Sequence, residues 1–151
     1  MSEMDQHDLA QLERSFIQMK RRMDSEWSKG NYGLNALQGR ILFRLFEDGP
    51  QKASALAEQL YITPGAVTGI ADKLLEMELI ERDRAEDDRR VVILSATEAG
   101  GELAQKLREK RRAVSEKMFS GLSSEDVREL TRLFDKINQN MDAANAQEHE
   151  E

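Results

Sequence analysis

The feature that most constrains this chain is a pair of short helical segments separated by only two residues, Tyr61 and Ile62. The first segment covers residues 53–60. The second begins at Thr63 and Pro64. A threonine hydroxyl can cap the free amides of a helix, and a proline suits the first helical position, which needs no donor. Two helices joined by so short a turn are typical of a helix-turn-helix unit, whose second helix can enter the major groove of DNA.

The second helix is predicted to have one apolar face and one small, polar face. Helical spacing places its buried side at Val67, Ile70, Ala71 and Leu74. The opposite side carries Gly65, Thr68, Gly69, Asp72 and, more laterally, Lys73. Two glycines inside a helix each cost about 1 kcal/mol relative to alanine, so this smooth face indicates close approach to another surface. The favoured surface is the DNA major groove, to which Thr63 and Thr68 offer hydroxyls, and the alternative is another protein helix.

A change of period follows this helix. Residues 80–84 and 90–94 are predicted strands, and the polar residues 85–89 join them into a charged hairpin. Three arginines flank its turn: Arg84, Arg89 and Arg90. An arginine on a protruding tip can enter a narrow minor groove, where the negative potential of DNA is strongest.

Asp88 precedes Arg90 by two residues, so its carboxylate can hold that arginine extended. Taken alone, such a hairpin favours a solvated turn with ordinary ion pairs. Because it follows a helix-turn-helix, we interpret it instead as a second DNA-contacting element.

Long amphipathic helices are predicted on both sides of this central region. The first covers about residues 6–28, and a second helical pattern runs to a break at residues 48–50. Another helix is expected from Thr97 to near Gly121, and the last begins at Ser123. Their apolar positions recur at helical spacing, with Leu9, Leu12, Phe16, Met19 and Met23 in the first helix and Val127, Leu130, Phe134, Ile137 and Met141 in the last.

The composition argues against an enzyme. The chain has no cysteine and two histidines, His7 and His149, one near each end. Thiol nucleophiles, thiolate metal sites and thiol redox switches are therefore excluded, and neither a histidine-ligated metal nor a cofactor is expected. Adjacent carboxylates are numerous, as expected by chance with 29 acidic residues in 151, and we interpret them as solvated surface.

Net charge and hydropathy narrow the class of partners. The chain carries 22 basic and 29 acidic residues, for a net charge of −7, so a polyanion binder would have to concentrate its positive charge locally. The apolar runs are far shorter than the roughly 20 residues that cross a bilayer. No membrane association is expected, and the simplest location is the cytoplasm.

Several short motifs in residues 56–100 follow one another in a set order: Leu56-Ala57-Glu58, Val67-Thr68, Asp72-Lys73-Leu74, Leu79-Ile80-Glu81-Arg82, Asp88-Arg89-Arg90 and Thr97-Glu98-Ala99-Gly100. In order and spacing they resemble the MarR family of bacterial winged helix-turn-helix regulators. The resemblance covers residues 35–101. It implies an obligate homodimer with a recognition helix at 64–77 and a wing at 85–90. Carried over by position, Arg90 would be the minor-groove arginine and Asp88 its partner.

Two positions depart from the family pattern. Glu78 stands where the family usually has glycine, in the turn before the first wing strand. Gly69 stands where a longer, often basic residue is common. Few side chains can then read bases directly, so we expect specificity to depend on Thr63, Thr68, the wing and DNA shape.

The phosphate contacts must come from selected positions. Residues 52–97 hold six basic and nine acidic residues, a net charge of −3. We expect Lys73, Arg82 and Arg84 to contact phosphates, with moderate and salt-sensitive affinity. The full set of predicted DNA-binding residues is Thr63, Pro64, Gly65, Thr68, Gly69, Lys73, Arg82, Arg84, Asp88, Arg89 and Arg90.

The expected fold is mainly α with a small β-hairpin wing, a winged helix-turn-helix with long N- and C-terminal dimerisation helices. Residues 1–34 and 97–145 are assigned to dimerisation, 35–96 to DNA binding and 146–151 to a disordered acidic tail. The predicted dimer interface comprises Leu9, Leu12, Phe16, Val127, Leu130, Phe134, Ile137 and Met141.

The expected function is sequence-specific binding to a palindromic operator, as a repressor released by a ligand. A small aromatic or anionic effector is expected from the resemblance, and Met23, Trp27 and Tyr32 are candidate walls of its pocket. The alternative function is that of a helical protein-interaction module that does not bind DNA.

Overall fold

The computed structural model describes residues 4–148, which fall into two compact units divided between Val114 and Ser115. The elements in chain order are α1 (Gln6–Ser28), α2 (Ala36–Asp48), β1 (Gln51–Lys52), α3 (Ala53–Gln59), α4 (Pro64–Glu76), β2 (Ile80–Arg84), β3 (Val92–Ala96), α5 (Glu98–Met118) and α6 (Ser124–Glu148). Within these residues, no helix is both long and apolar enough to span a membrane.

The fold class is confirmed, with a three-stranded sheet where a two-stranded hairpin was predicted. The strand order is β1-β3-β2, and both pairings are antiparallel. The extra strand β1 joins through Gln51 opposite Leu94 and Lys52 opposite Ile93. It lies directly before α3, so it fixes the start of the helix-turn-helix to the wing.

The predicted second wing strand, 90–94, is wrong by two residues, because β3 begins at Val92. The backbone N–H of Val91 donates to the carbonyl of Asp88 at 3.0 Å, and that of Arg90 donates to the Asp88 carboxylate. These bonds keep Arg90 and Val91 in the turn. The strand can therefore start only after them.

The core of the first unit lies where α2, α3, α4 and β3 meet. Six side chains there are almost completely inaccessible to solvent: Ile41, Leu42, Leu56, Val67, Leu74 and Leu94. The predicted buried face of α4 is confirmed at Val67, Ala71 and Leu74, while Ile70 is half-buried at the edge of the core.

A lysine of α5 fixes the end of α1. The ammonium group of Lys110 donates to the carbonyl oxygen of Trp27 at 2.9 Å and to that of Lys29. It also lies 5.5 Å from the centre of the Trp27 ring, within the range of a cation–π contact. The lysine thus caps free carbonyls at the C-terminal end of α1, where a positive charge also suits the helix dipole.

The second unit begins with the end of α5 and contains α6. Ser123 and Asp126 form a reciprocal cap at the start of α6, with bonds of 3.1 and 3.0 Å between each side chain and the other residue's N–H. The helix continues through Glu148, so the prediction of a disordered tail is wrong for residues 146–148. Residues 149–151 of that predicted tail lie outside the described residues.

One junction joins the end of the helix-turn-helix to the start of α5. Thr97 donates from its hydroxyl to the carbonyl of Glu78 at 2.8 Å and from its N–H to the carbonyl of Leu79 at 3.0 Å. The same hydroxyl accepts the N–H of Gly100 at 3.1 Å, which caps α5. The backbone of α5 therefore lies directly against that of Leu79.

This contact predicts opposite effects for alanine at two adjacent glycines. A Cβ on Gly100 would lie 2.9 Å from the Leu79 carbonyl carbon and closer still to its oxygen, whereas one on Gly101 would meet the Phe46 ring at an ordinary 3.5 Å. We expect Gly100→Ala to lower the free energy of unfolding by about 1–3 kcal/mol through overpacking. Gly101→Ala should raise it by up to about 1 kcal/mol through helix propensity.

Urea denaturation of both variants measures these changes. Equal stability of the two variants would show that the close approach of α5 to Leu79 is not a constraint on the fold.

Candidate nucleic-acid interface

The N-terminal end of α4 is built to present its first turn to solvent. The Thr63 hydroxyl accepts the N–H of Ala66 at 3.1 Å, and Pro64 occupies the first helical position, as predicted. The hydroxyl of Thr68 donates to the Pro64 carbonyl at 3.3 Å. Thr63, Pro64 and Thr68 are all exposed, so this turn is free to meet another molecule.

The outer face of α4 is smooth because of Gly65 and Gly69. Both residues are exposed, and a Cβ built on either would meet no atom within 4 Å among the described residues. The alternative that the glycine pair packs on another helix is therefore not borne out within the described chain. Neither glycine is required by packing there, which leaves close approach of an external surface as their explanation.

The C-terminal end of α4 closes through a residue in the left-handed conformation. Glu78 has φ of +59°, and its N–H donates to the carbonyl of Leu75, while that of Leu79 donates to Leu74. This pair of bonds is the Schellman motif, in which glycine is the usual residue at the position of Glu78. The departure at Glu78 therefore leaves the geometry of the turn intact.

The wing is a tight antiparallel hairpin whose tip is held by one of its own arginines. Arg84 pairs with Val92 at the end of the ladder, and the next residue, Ala85, donates to the carbonyl of Val91 at 3.0 Å. The Arg84 guanidinium donates to the carbonyl of Arg89 at 2.9 Å. Arg84 thus braces the wing from within, a contact that the sequence did not indicate.

Asp88 and Arg90 form the predicted pair at the tip of the wing. The Arg90 guanidinium donates through Nε and Nη2 to the two carboxylate oxygens of Asp88, at 3.1 and 3.2 Å. The backbone N–H of Arg90 donates to the same carboxylate at 3.0 Å. The arginine side chain is nevertheless 91% exposed. It is therefore held in one orientation while its outer surface stays accessible.

These contacts also set the charge of the pair. The hydrogen bonds from the Arg90 side chain, followed by the one from its backbone N–H, hold the pKa of the Asp88 carboxyl below its ordinary value. Because the shift is downward, Asp88 is ionised at neutral pH, and its pairing with Arg90 is lost only as the pH falls through a pKa below the ordinary carboxyl value. The clamp on Arg90 is therefore in place wherever DNA binding would be measured.

The remaining predicted phosphate contacts differ in their surroundings. Arg82 on β2 forms an ion pair with Asp72 on the exposed face of α4, at 3.6 Å, and so links the helix to the wing. Lys73 and the side chain of Arg89 are exposed. The pairing of Asp72 with Arg82 was not predicted, because the two residues lie on different elements.

A capped, smooth-faced helix beside a hairpin that presents an oriented arginine defines a winged helix-turn-helix protein. The sequence profile of the MarR family matches residues 34–92. The chain is 31% identical over 115 residues to YpoP, an uncharacterised HTH-type transcriptional regulator of Bacillus subtilis. The matched region covers 76% of this chain and 77% of that protein. It is 32% identical over 107 residues to the B. subtilis transcriptional repressor MdtR, with 71% of this chain and 69% of that protein covered.

Among solved structures, the fold is similar to that of a mutant MarR from E. coli complexed with operator DNA. The TM-score is 0.77 at 19% identity, with 89% of this chain and 99% of that chain covered. The protein belongs to the MarR family. It is a DNA-binding transcriptional regulator and not an enzyme, which confirms the predicted class. The alternative of an interaction module that does not bind DNA finds no support in these relatives.

The arrangement of the wing predicts a specific loss for Arg90→Ala. If the exposed guanidinium contacts DNA, the variant should bind an operator at least about 10-fold more weakly, and the slope of log K against log salt should fall by about one. Asp88→Asn should weaken binding less, since it loosens the arginine and leaves its charge in place. Fluorescence anisotropy at several salt concentrations measures both quantities.

Arg132→Ala provides the matched control. Arg132 on α6 donates to both carboxylate oxygens of Glu129, at 2.9 and 2.6 Å, so the same charge is lost from the same kind of pair outside the wing. If Arg90→Ala and Arg132→Ala had equal affinities, the assignment of Arg90 to the interface would be wrong.

Proposed function

We propose that this protein is a homodimeric repressor that occupies a palindromic operator and is released by a small aromatic or anionic ligand. One observation carries the proposal. Asp88 orients Arg90 at the tip of the wing, and in the same compact unit α4 has a capped start and an outer face made smooth by two glycines. In this arrangement α4 enters the major groove through the residues from Thr63 to Lys73. The wing places Arg90 in the adjacent minor groove.

The apolar stripe of α1 supports a dimer. Leu12 and Phe16 are 61% and 52% exposed, and Leu9 is half-buried. Ile17, which was not among the predicted interface residues, is 48% exposed on the same helix. Several large apolar side chains exposed along one helix are unusual in a monomer and typical of a subunit interface.

The last helix carries a second stripe of the same kind. Val127, Phe134, Ile137 and Met141 are exposed, and Leu130 is half-buried. No residue of α6 within the described chain is fully buried. A helix of 25 residues with an exposed apolar stripe gains stability by packing on a second copy.

Occlusion of the promoter follows from this dimer. Two symmetry-related copies of α4 would occupy successive major grooves about 34 Å apart, where they block access of polymerase. Residues 1–34 and 97–145 serve as dimerisation helices and 35–96 as the DNA-binding lobe of a cytoplasmic protein.

A cavity near the end of α1 is the candidate effector site. It has a volume of about 400 Å³, and its lining includes Trp27, Leu34 and Leu107 together with Asp24. Trp27 was a predicted wall of the pocket. Met23 does not line this cavity, and Tyr32 lies instead under the ammonium group of Lys106 at 5.9 Å. The apolar walls suit an aromatic ring, and a ligand that favours one dimer geometry would change the spacing of the two recognition helices.

The proposal is tested by selecting binding sites from random duplex DNA at about 0.15 M salt, where weak sequence-independent contacts are partly screened. We expect enrichment of a pseudo-palindrome whose half-sites are about one helical turn apart. A selected pool without any shared sequence would contradict specific operator binding. Single half-sites would contradict the dimer.

The proposed dimerisation through α6 is tested separately by substitution of Phe134. A glutamate at Phe134 would bury two unpaired carboxylates in a symmetric interface, so Phe134→Glu should raise the dimer dissociation constant by roughly 100-fold or more. Gln139→Glu adds the same charge on the opposite side of α6 and should leave the constant unchanged. Sedimentation equilibrium measures both variants, and a Phe134→Glu chain that remains fully dimeric would place the interface elsewhere.

A further inference from the structure

Tyr61 combines a costly backbone conformation with an exposed side chain. It has φ of +56° and lies two residues after the end of α3, in the turn between the two helices. Its N–H donates to the carbonyl of Glu58, and that of Ile62 donates to Ala57 at 3.0 Å. This is the Schellman position that favours glycine, where an aromatic residue is strained by its Cβ.

Little packing within the described residues offsets this strain, because the Tyr61 side chain lies almost entirely in solvent. It is 87% exposed, more than any other large hydrophobic side chain in residues 4–148. Across those residues, neither a hydrogen bond to its hydroxyl nor a cation–ring contact occurs. Tyr32, which has a similar φ, differs because Lys106 lies over its ring. No contact within the described residues accounts for an aromatic ring at position 61, which points to a contact outside the subunit.

Its position indicates what the side chain meets. Tyr61 precedes by two residues the Thr63 cap of α4, the helix proposed to enter the major groove. The turn that leads into the first residues of a recognition helix lies beside the phosphates that border the groove. Tyrosine hydroxyls are among the side-chain groups that donate to phosphate oxygens.

We infer that Tyr61 is a further DNA-contact residue, which donates its hydroxyl to a backbone phosphate at the edge of the major groove and packs its ring on the neighbouring sugar. The contact positions α4 and carries no sequence information of its own. The inference rests on the proposed DNA-binding function and adds to it a residue that neither the motifs nor their spacing indicated.

Tyr61→Gly should change stability and DNA binding in opposite directions. Glycine relieves the left-handed strain, so the melting temperature should rise by a few degrees, while operator affinity should fall about 10-fold or more. Tyr61→Phe keeps the ring and the backbone and loses only the hydroxyl. It should leave the melting temperature unchanged and weaken binding by about 3–10-fold.

Glu78→Gly is the matched control. Glu78 has φ of +59° in the second Schellman motif, at the opposite end of α4 from the proposed contact. Its replacement should raise the melting temperature in the same way and leave operator affinity unchanged. A DNA contact at position 61 is indicated if Tyr61→Gly raises stability and weakens binding while Glu78→Gly raises stability alone. A purely structural role for Tyr61 would not give this difference.

The salt dependence separates Tyr61 from the charged contacts. A neutral hydroxyl releases no counterion, so Tyr61→Phe should leave the slope of log K against log salt at its wild-type value. Affinity is measured by fluorescence anisotropy with the selected operator, and the oligomeric state of each variant by sedimentation.

Each outcome of these measurements bears on one claim. Wild-type protein that binds no selected DNA would overturn the proposed function itself. Wild-type protein that binds, with both Tyr61 variants equal to it, would overturn the present inference alone. So would a loss of binding accompanied by lower stability or by dissociation of the dimer, since Tyr61 would then act within the protein.

Discussion

The hydrogen bonds of Thr97 to the carbonyls of Glu78 and Leu79 are the interaction on which the geometry of the winged helix-turn-helix depends. They join four chain ends at one point: the exit of α4, the start of β2, the end of β3 and the first turn of α5. Because Gly100 lets α5 lie against the Leu79 carbonyl, helix and sheet meet without an intervening side chain. The junction therefore ties the end of α4 and the two wing strands to the first turn of α5.

The charges of the interface are organised before any DNA arrives. Arg90 is held by Asp88, Arg84 by the carbonyl of Arg89, and Arg82 by Asp72. Each contact restricts a long side chain that was predicted to contact DNA, so less rotamer entropy would remain to be lost if it does bind. The acidic partners lower the local positive charge, but they also hold the arginines in place. A region with more carboxylates than basic groups can therefore still present ordered arginines to a polyanion.

Much of this arrangement could be predicted from the sequence because its signals are local. The apolar period marked α1 and α4, the Thr63-Pro64 pair marked the start of α4, and Asp88 was identified as the partner of Arg90. The features that were not predicted depend on contacts or conformations that leave no local sequence pattern. The strand β1 has two residues, too few to show a period, and it exists because β3 offers it a free edge.

The left-handed backbone conformations and the long-range ion pair could not be predicted from the sequence for related reasons. Neither Tyr61 nor Glu78 is a residue type that suggests a positive φ, since glycine or asparagine would be expected there. The pairing of Asp72 with Arg82 joins residues ten positions apart on different elements, and only the packing of β2 on α4 brings them together. The candidate pocket walls Met23 and Tyr32 were chosen by proximity in the chain, which does not give the direction of a side chain.

The surplus of acidic residues in the winged helix-turn-helix affects how such a regulator would be distributed in a cell between nonspecific DNA and free solution. Binding to arbitrary chromosomal sequence comes almost entirely from charge, and a lobe with a net charge of −3 has little of it to offer. Fewer copies would then be sequestered on the many competing sites of a genome, and more would remain free in solution. Occupancy of a single promoter would accordingly require fewer molecules per cell than a strongly basic lobe of equal operator affinity would need.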